Sequence, residues 1–367
     1  MYICLKIIES HFSSLEDPRS SRNQRHPFMT LIATSLLAVL CGIDSFSGMQ
    51  DFVEMHREAL KKYFDFPSGV PSHDTYQRLW DNLFPNQFRE CFGAFVESLQ
   101  KITSDIMNID GKTIRNSSSN KLFHSVSAWC HKNKMVFAQE KVNEKSNEIK
   151  AIPKMLKLLD LENKIITIDA MGAQRDMCQQ IVERKGDYVI SLKDQGTLFE
   201  DVKLFLSELN NHEFINENND KGHGRIEQRV AVVSHHTKRL NDIHQWPGLK
   251  SIGRITSTVL RKGKESKDTR YYISSKLLSA FELNEIARQH WGIENQLHWG
   301  LDVVFNEDKA CIRNDCVTEN LDILRKWALT ILHKAKNKPE NSIKSIMRKH
   351  SMSFKHLIHC VNTILHA

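Results

Sequence analysis

Two aspartates each follow a short apolar run. Ile106-Met107-Asn108-Ile109 leads into Asp110-Gly111-Lys112, and Lys164-Ile165-Ile166-Thr167-Ile168 leads into Asp169. A carboxylate at the end of a buried strand is costly unless a cation meets it, so two on neighbouring strands suggest a shared metal. The chemistry such a pair supports is phosphodiester cleavage. In-line attack needs charge neutralised on the attacking and leaving oxygens, which two Mg²⁺ ions about 3.5–4 Å apart provide. Mg²⁺ takes hard oxygen ligands and keeps much of its water, so two or three carboxylates suffice. The plainer reading of Asp110-Gly111 is a turn pair at a strand end.

The residues alone leave the third ligand open. His290, Glu294 and His298 recur at four-residue spacing and share one face of a helix. Trp291, Ile293, Leu297 and Trp299 read as the packed side of that helix, the tryptophans as core with base stacking the lesser alternative. The His-Glu-His array fails as a zinc site, because three consecutive turns span about 12 Å. Asp302, Glu307 and Asp308 follow directly and compete with Glu294 for the role.

A layered frame is needed to position these groups. Phe28 to Ile43, Phe46 to Tyr63, a segment opened by Pro71-Ser72-His73-Asp74, and Phe88 to Ile102 read as helices. Ser72 or Asp74 caps the third, and Pro85-Asn86 breaks the chain before the fourth. From residue 106 the pattern changes to short extended runs: Ile106 to Ile109, Ser125 to Trp129, and Met135 to Val142. Helix Glu148 to Asp160, with Pro153 in its first turn, precedes strand Lys164 to Ile168, helix Arg175 to Lys185, strand Tyr188 to Leu192 and helix Gly196 to Leu209. Three strands and then alternating helices and strands predict a mixed α/β sheet of the RNase H type. Residues 212–280 alternate polar and apolar and predict a β-rich insertion, with a basic turn at Arg261, Lys262 and Lys264. Leu283 to Asp302 then reads as one long helix.

At 367 residues the chain has room for two or three domains. With 40% hydrophobic and 26% charged residues it can bury a core. The net charge of +7 leans mildly toward a polyanionic partner. Eight cysteines lack zinc-type pairing, Cys311 and Cys316 being the nearest two, and read as free thiols in a reducing compartment. There is no signal-peptide pattern, and the apolar run at Leu31 to Ile43 is shorter than the ~20 residues that span a bilayer. These features predict a cytoplasmic protein with no membrane partner.

Several blocks together resemble bacterial insertion-sequence transposases of the DDE type, close to the H-repeat-associated proteins of Rhs elements. They are Asp17-Pro18-Arg19, Pro71 to Thr75, Asp110-Gly111-Lys112-Thr113-Ile114-Arg115, Lys145-Ser146-Asn147-Glu148-Ile149, Thr167-Ile168-Asp169-Ala170 and Gly222 to Glu227. The longest and most specific is His290-Trp291-Gly292-Ile293-Glu294-Asn295-Gln296-Leu297-His298-Trp299-Gly300-Leu301-Asp302-Val303. The blocks span nearly the whole chain. The resemblance implies an RNase H-like core interrupted by a β-rich insertion, and it assigns the catalytic, metal-binding trio to Asp110, Asp169 and Glu294. It also implies two Mg²⁺ ions, with Mn²⁺ as a substitute, acting on double-stranded DNA at transposon terminal repeats and on target DNA. A homodimer in a paired-end complex and a bacterial, nucleoid-associated setting follow from the same resemblance.

Two departures stand out. Related transposases carry a Tyr and an Arg before the glutamate and a Lys after it, where this chain has Ala287, His290 and Leu301. The family's Leu-Lys-Gly-Asn-Gln run is shortened to Leu192-Lys193-Asp194-Gln195. Phosphate contacts must then come from elsewhere, and the candidates are Lys112, Arg115, Lys193, Arg225, Arg229, His290, Asn295, His298 and Arg313. From Arg325 to Ala367 nine Lys and Arg face one acid, Glu340, which favours a DNA-backbone contact over a merely solvated face.

The expected organisation is a helical N-terminal domain for DNA-end binding (1–103), the first part of the core (104–211), the insertion (212–280), the core helix with the glutamate (281–324) and a basic helical tail (325–367). The expected activity is metal-dependent cleavage at transposon ends followed by strand transfer. The alternatives are a nuclease or resolvase on the same core, or an inactive DNA-binding derivative.

Overall fold

The computed structural model describes residues 10–22, 24–99, 106–115, 122–142, 148–193, 196–208, 214–222, 225–310, 312, 314–336 and 342–365. Four N-terminal helices come first: α1 (Phe28–Leu40), α2 (Phe46–Leu60), α3 (His73–Asn82) and α4 (Pro85–Leu99). α1 is apolar nearly all round and is buried from Thr30 to Leu40. Its two hydroxyls are used inside the core: Thr34 Oγ1 lies 2.8 Å from the Tyr76 hydroxyl, and Ser35 Oγ accepts from Trp80 Nε1 at 3.1 Å. Pro85 begins α4 instead of breaking the chain, as a first-turn proline lacks only an N–H that would be unpaired anyway.

The expected core then appears. β1 (Ile106–Ile114), β2 (Phe123–Cys130) and β3 (Met135–Val142) form an antiparallel meander. Next come α5 (Glu148–Leu158), β4 (Ile165–Ile168), α6 (Arg175–Glu183), β5 (Asp187–Leu192) and α7 (Thr197–Glu208). β4 pairs in parallel with both β1 and β5, giving the mixed RNase H-like sheet order β3-β2-β1-β4-β5. All four residues of β4 are buried, as a central parallel strand requires. Pro153 is the sixth residue of α5, inside the helix and not in its first turn.

The insertion is not a separate layer. Its strands β6 (Phe214–Gly222), β7 (Arg225–Ser234), β8 (Ser251–Arg261) and β9 (Lys264–Ser274), with helix α8 (Lys238–His244) between β7 and β8, extend the same sheet. β9 pairs antiparallel with β5, Val189 opposite Ser274, and the sheet reaches nine strands. The basic turn between β8 and β9 places Lys262 at φ 50° and Gly263 at φ 75°, the left-handed pair that a two-residue hairpin favours.

α9 (Ala280–Gly292) starts with a capping box between Ser279 and Glu282. The helix continues through two π segments, Ile293–His298 and Gly300–Val304. π segments are rare and cluster at functional sites. α10 (Asp315–Lys334), α11 (Ile343–Met352) and α12 (Phe354–Leu365) complete the chain.

α10 is buried from Val317 to Leu332 and packs among the N-terminal helices, where Trp327 stacks on Phe12 at 4.5 Å. Arg325 and Lys326 are therefore interior, not part of an exposed basic tail. Lys326 pairs with Asp322 at 2.8 Å, both fully buried, because a charge carried into a core needs a counter-charge. Lys344, Arg348, Lys349 and Lys355 remain exposed. The six described cysteines are free thiols.

Candidate active site

Strand pairing brings the first two acids together. Ile109 lies opposite Ile168 in the parallel β1–β4 pair, so Asp110 and Asp169 stand side by side where β4 ends. Asp110 does not end its strand: β1 continues to Ile114, with Asp110, Gly111 and Lys112 opposite Ser127, Val126 and Ser125. This overturns the turn reading of Asp110-Gly111. Asp110 Oδ1 accepts from the Gly111 N–H at 2.8 Å. Asp169 Oδ1 accepts from the Met171 N–H at 3.1 Å, capping the short turn Ala170–Gly172.

The site is electrostatically unbalanced. Burial, then Asp169, then Glu294 and Glu148 push the Asp110 carboxyl up to about 8, offset only by the Gly111 N–H. Burial also raises Glu294, with Asp169 adding to it and Arg270 opposing. Hard oxygen donors in mutual repulsion are what a divalent cation relieves, so the donor set fits one. Among the described residues no three His, Cys, Asp or Glu side chains converge tightly enough to enclose an ion. Mg²⁺ is ordinarily held by one or two carboxylates with its remaining positions filled by water, and the Asp110–Asp169 pair suits that mode.

Glu294 reaches this site from the first π segment. With Asp169, Lys193, Arg270, His290 and Trp291 it lines a cleft of about 410 Å³. The His290-Glu294-His298 stripe serves three separate partners. His290 is partly buried, and Thr167 Oγ1 lies 2.8 Å from its Nδ1. The Thr167 hydroxyl donates to Asn108 Oδ1 at 2.8 Å, so His290 Nδ1 is the donor to Thr167 and its Nε2 is left as an acceptor. His298 Nδ1 lies 3.7 Å from Asp110 Oδ2. Burial first, and nearby cations second, lower His290 to about 4 and His298 to about 3. Both shifts favour the neutral ring, so a phosphate contact from either imidazole would be a neutral one.

The other predicted contacts separate into groups. Lys112 is buried and pairs with Asp302 at 2.6 Å and Glu307 at 3.1 Å, so its charge is engaged inside the protein. Glu307 in turn pairs with Arg325 at 3.4 Å. Asp302 and Glu307, once rivals of Glu294, thus hold cations away from the carboxylate pair. Arg115 is exposed beside Asp308. Arg229 pairs with Glu227 and, with Asn295, lines a second cleft of about 350 Å³ that shares Arg270, Trp291 and Glu294 with the first. Arg225 begins β7, but its side chain lies outside the described residues, as do Arg313, Asp194 and Gln195.

Sequence reasoning missed two neighbours. Arg270, on β9, places its guanidinium 4.2 Å from the Trp291 ring centroid and acts electrostatically on Glu294. No motif marked it, since the pairing of β9 with β5 is a long-range event. Glu148 was quoted within a motif without a role. It is buried at the start of α5, and its carboxylate occupies the space a side chain at Gly111 would need. Trp291 is half-buried under Arg270 and Trp299 is 54% exposed, so neither belongs to the core.

Comparison with known proteins decides the family. The family described as "Transposase DDE domain" matches residues 103–331, and "DDE_Tnp_1-associated" matches residues 9–96. The chain belongs to the DDE transposase family. This transposase is 38% identical to "H repeat-associated putative transposase YhhI" of Escherichia coli (strain K12) over 343 residues, covering 89% of this chain and 90% of that one. "Putative protein YbfL" of the same strain matches equally, at 38% identity and the same coverage. "Putative transposase YncI" of Escherichia coli O157:H7 is 37% identical over 345 residues, with 89% and 87% covered. The chain is an insertion-sequence transposase of the H-repeat kind, a DDE-type enzyme acting on nucleic acid, and the family implies use of a divalent metal. Among the described residues no helix is long and apolar enough to cross a membrane.

Proposed function

We propose that this transposase cleaves the ends of its own insertion sequence and joins the freed ends to target DNA, with Asp110, Asp169 and Glu294 as the catalytic trio. The observation that carries the reading is the parallel β1–β4 register, which sets Asp110 beside Asp169, a residue that lines one cleft with Glu294. Asp110 and Asp169 would hold two Mg²⁺, or Mn²⁺ in their place, with Glu294 completing the second site. Bound there, the metal supplies charge neutralisation on the attacking and leaving oxygens of an in-line displacement.

The protein's own groups position the DNA. Arg270 stands beside Glu294 and takes the place of the family's missing basic residues, its plane held against Trp291. Lys193 lines the same cleft and is a second cation for the strand. His290, fixed by Thr167, offers a neutral acceptor toward the cleft. In the first step water displaces one strand at the phosphodiester, leaving a 3′-OH on the element. In the second, that hydroxyl displaces an oxygen of another phosphodiester, so one P–O bond forms as one breaks. No covalent protein–DNA intermediate is needed. Pairing two ends calls for two protomers, hence a homodimer.

A strand-joining assay tests this. Wild-type protein, Mg²⁺, a donor duplex carrying the element's terminal repeat and a supercoiled target plasmid should yield joined products. Cleaved donor without joined product would make the enzyme a nuclease; intact donor would make it an inactive DNA-binding derivative.

A further inference from the structure

Two N-terminal motifs take no part in the carboxylate chemistry, Asp17-Pro18-Arg19 and Pro71 to Thr75. The fold brings them together on one groove of about 780 Å³. One wall is built from the described residues between Asp17 and His26, and Arg19 is its internal strut. Arg19 holds Asp17 through two contacts of 2.8 and 2.7 Å, and also donates to the His26 carbonyl at 3.0 Å. Gln24 Nε2 closes the loop onto the Arg19 carbonyl at 3.2 Å. With Arg19 committed inward, Arg22 and Arg25 project as exposed side chains.

The facing wall is α3. Tyr76, Leu79 and Trp80 are buried on its inner side. Ser72, Thr75, Arg78 and Asn82 recur every three or four residues and form its polar stripe along the groove. Among the described residues Arg22, Arg25 and Arg78 make no ion pair with any acid. The one acid lining the groove, Asp74, is 3.3 Å from His73. Pro18 and Val70 are the only apolar lining residues, so the aromatic and aliphatic anchors of a protein interface are missing.

We propose that this groove binds the sugar-phosphate backbone of duplex DNA, with Arg22, Arg25 and Arg78 each on a phosphate. Guanidinium forks match phosphate oxygens in pairs, and hydroxyl and amide groups such as those of Thr75 and Asn82 add neutral donors. The proposal rests on the DNA-transposase reading and adds a contact remote in sequence from the carboxylate trio. It positions the duplex without reading its sequence.

Salt dependence tests it, because each phosphate contact contributes about 0.9 to the slope of log affinity against log salt. Binding of the full-length protein to a fluorescein-labelled random-sequence duplex is followed by anisotropy over a NaCl series without divalent metal. The triple variant Arg22→Ala/Arg25→Ala/Arg78→Ala should lower the slope by about 2.7. The corresponding triple Arg→Lys variant should restore most of it, which a folding defect would not allow. A charge-matched control, Lys154→Ala/Lys157→Ala/Arg239→Ala, should leave the slope near wild type. An unchanged slope in the groove variant, or an equal fall in the control, overturns the proposal. The readout is independent of cleavage: an enzyme that binds through the groove and never cuts would refute the catalytic reading and leave this one standing.

Discussion

The two clefts of this transposase are built on opposite electrostatic plans. The proposed catalytic cleft gathers acids, Asp169 from the sheet and Glu294 from the helix, around Arg270 and Lys193, while two neighbouring cations are engaged inside the protein: Lys112 by Asp302 and Glu307, and Arg325 by Glu307. The N-terminal groove keeps its acids few and leaves three arginines exposed. One site uses buried charge whose repulsion a metal relieves. The other uses solvated charge, which costs little to display and gains strength only when phosphates arrive. The difference teaches which substitutions harm the fold and which harm only the contact with DNA.

The largest contrast is in stability. Lys112→Met leaves Glu307 and Asp302 without their shared partner and should lower unfolding free energy by about 3–5 kcal/mol in urea titration. The triple arginine variant of the groove should stay within about 0.5 kcal/mol per site of wild type. Equal losses in the two would erase the distinction between buried and displayed charge.

Arg270→Ala sharpens it within the catalytic cleft. Cleavage should fall about tenfold to a hundredfold, the loss of one charge-assisted contact, while affinity for random duplex changes little. Arg270→Lys should recover part of the rate. If affinity falls and the rate of bound complex holds, Arg270 belongs with the groove arginines and not with the carboxylates.

The pH dependence gives the smallest signal over any single unit of pH. Asp110 has a folded value near 8 against 3.8 unfolded, so the folded state retains a proton that the unfolded chain has lost. Its contribution to stability is present below about 3.8 and is lost as pH rises toward 8, by at most about 1.4 kcal/mol per unit. Melting of metal-free protein should show this decline, and Asp110→Asn should flatten it. An unchanged slope in the variant would mean that Asp110 is not the titrating group.

Most of the core was legible in the sequence because β-branched runs such as Ile165–Ile168 and apolar helices such as α1 carry their burial in their own residues. The aspartates were legible for the same reason, each set against a hydrophobic run. The course of the helix after Gly292 was not. A strict four-residue stripe implied one shared face, whereas the π segments let His290, Glu294 and His298 meet Thr167, the cleft and Asp110 in turn. Charge was the other blind spot. Arg325 and Lys326 look like surface residues until α10 is seen buried among α1, α3 and α4, and Arg270 acquires its role only when β9 joins β5.

The most direct test of the central claim is Mg²⁺-dependent cleavage of a duplex carrying the element's end, wild type against Asp169→Ala. The account predicts metal-dependent strand cleavage by wild type and a loss of about a thousandfold or more in the variant, with DNA affinity retained. Cleavage at equal rates by the two proteins would contradict it.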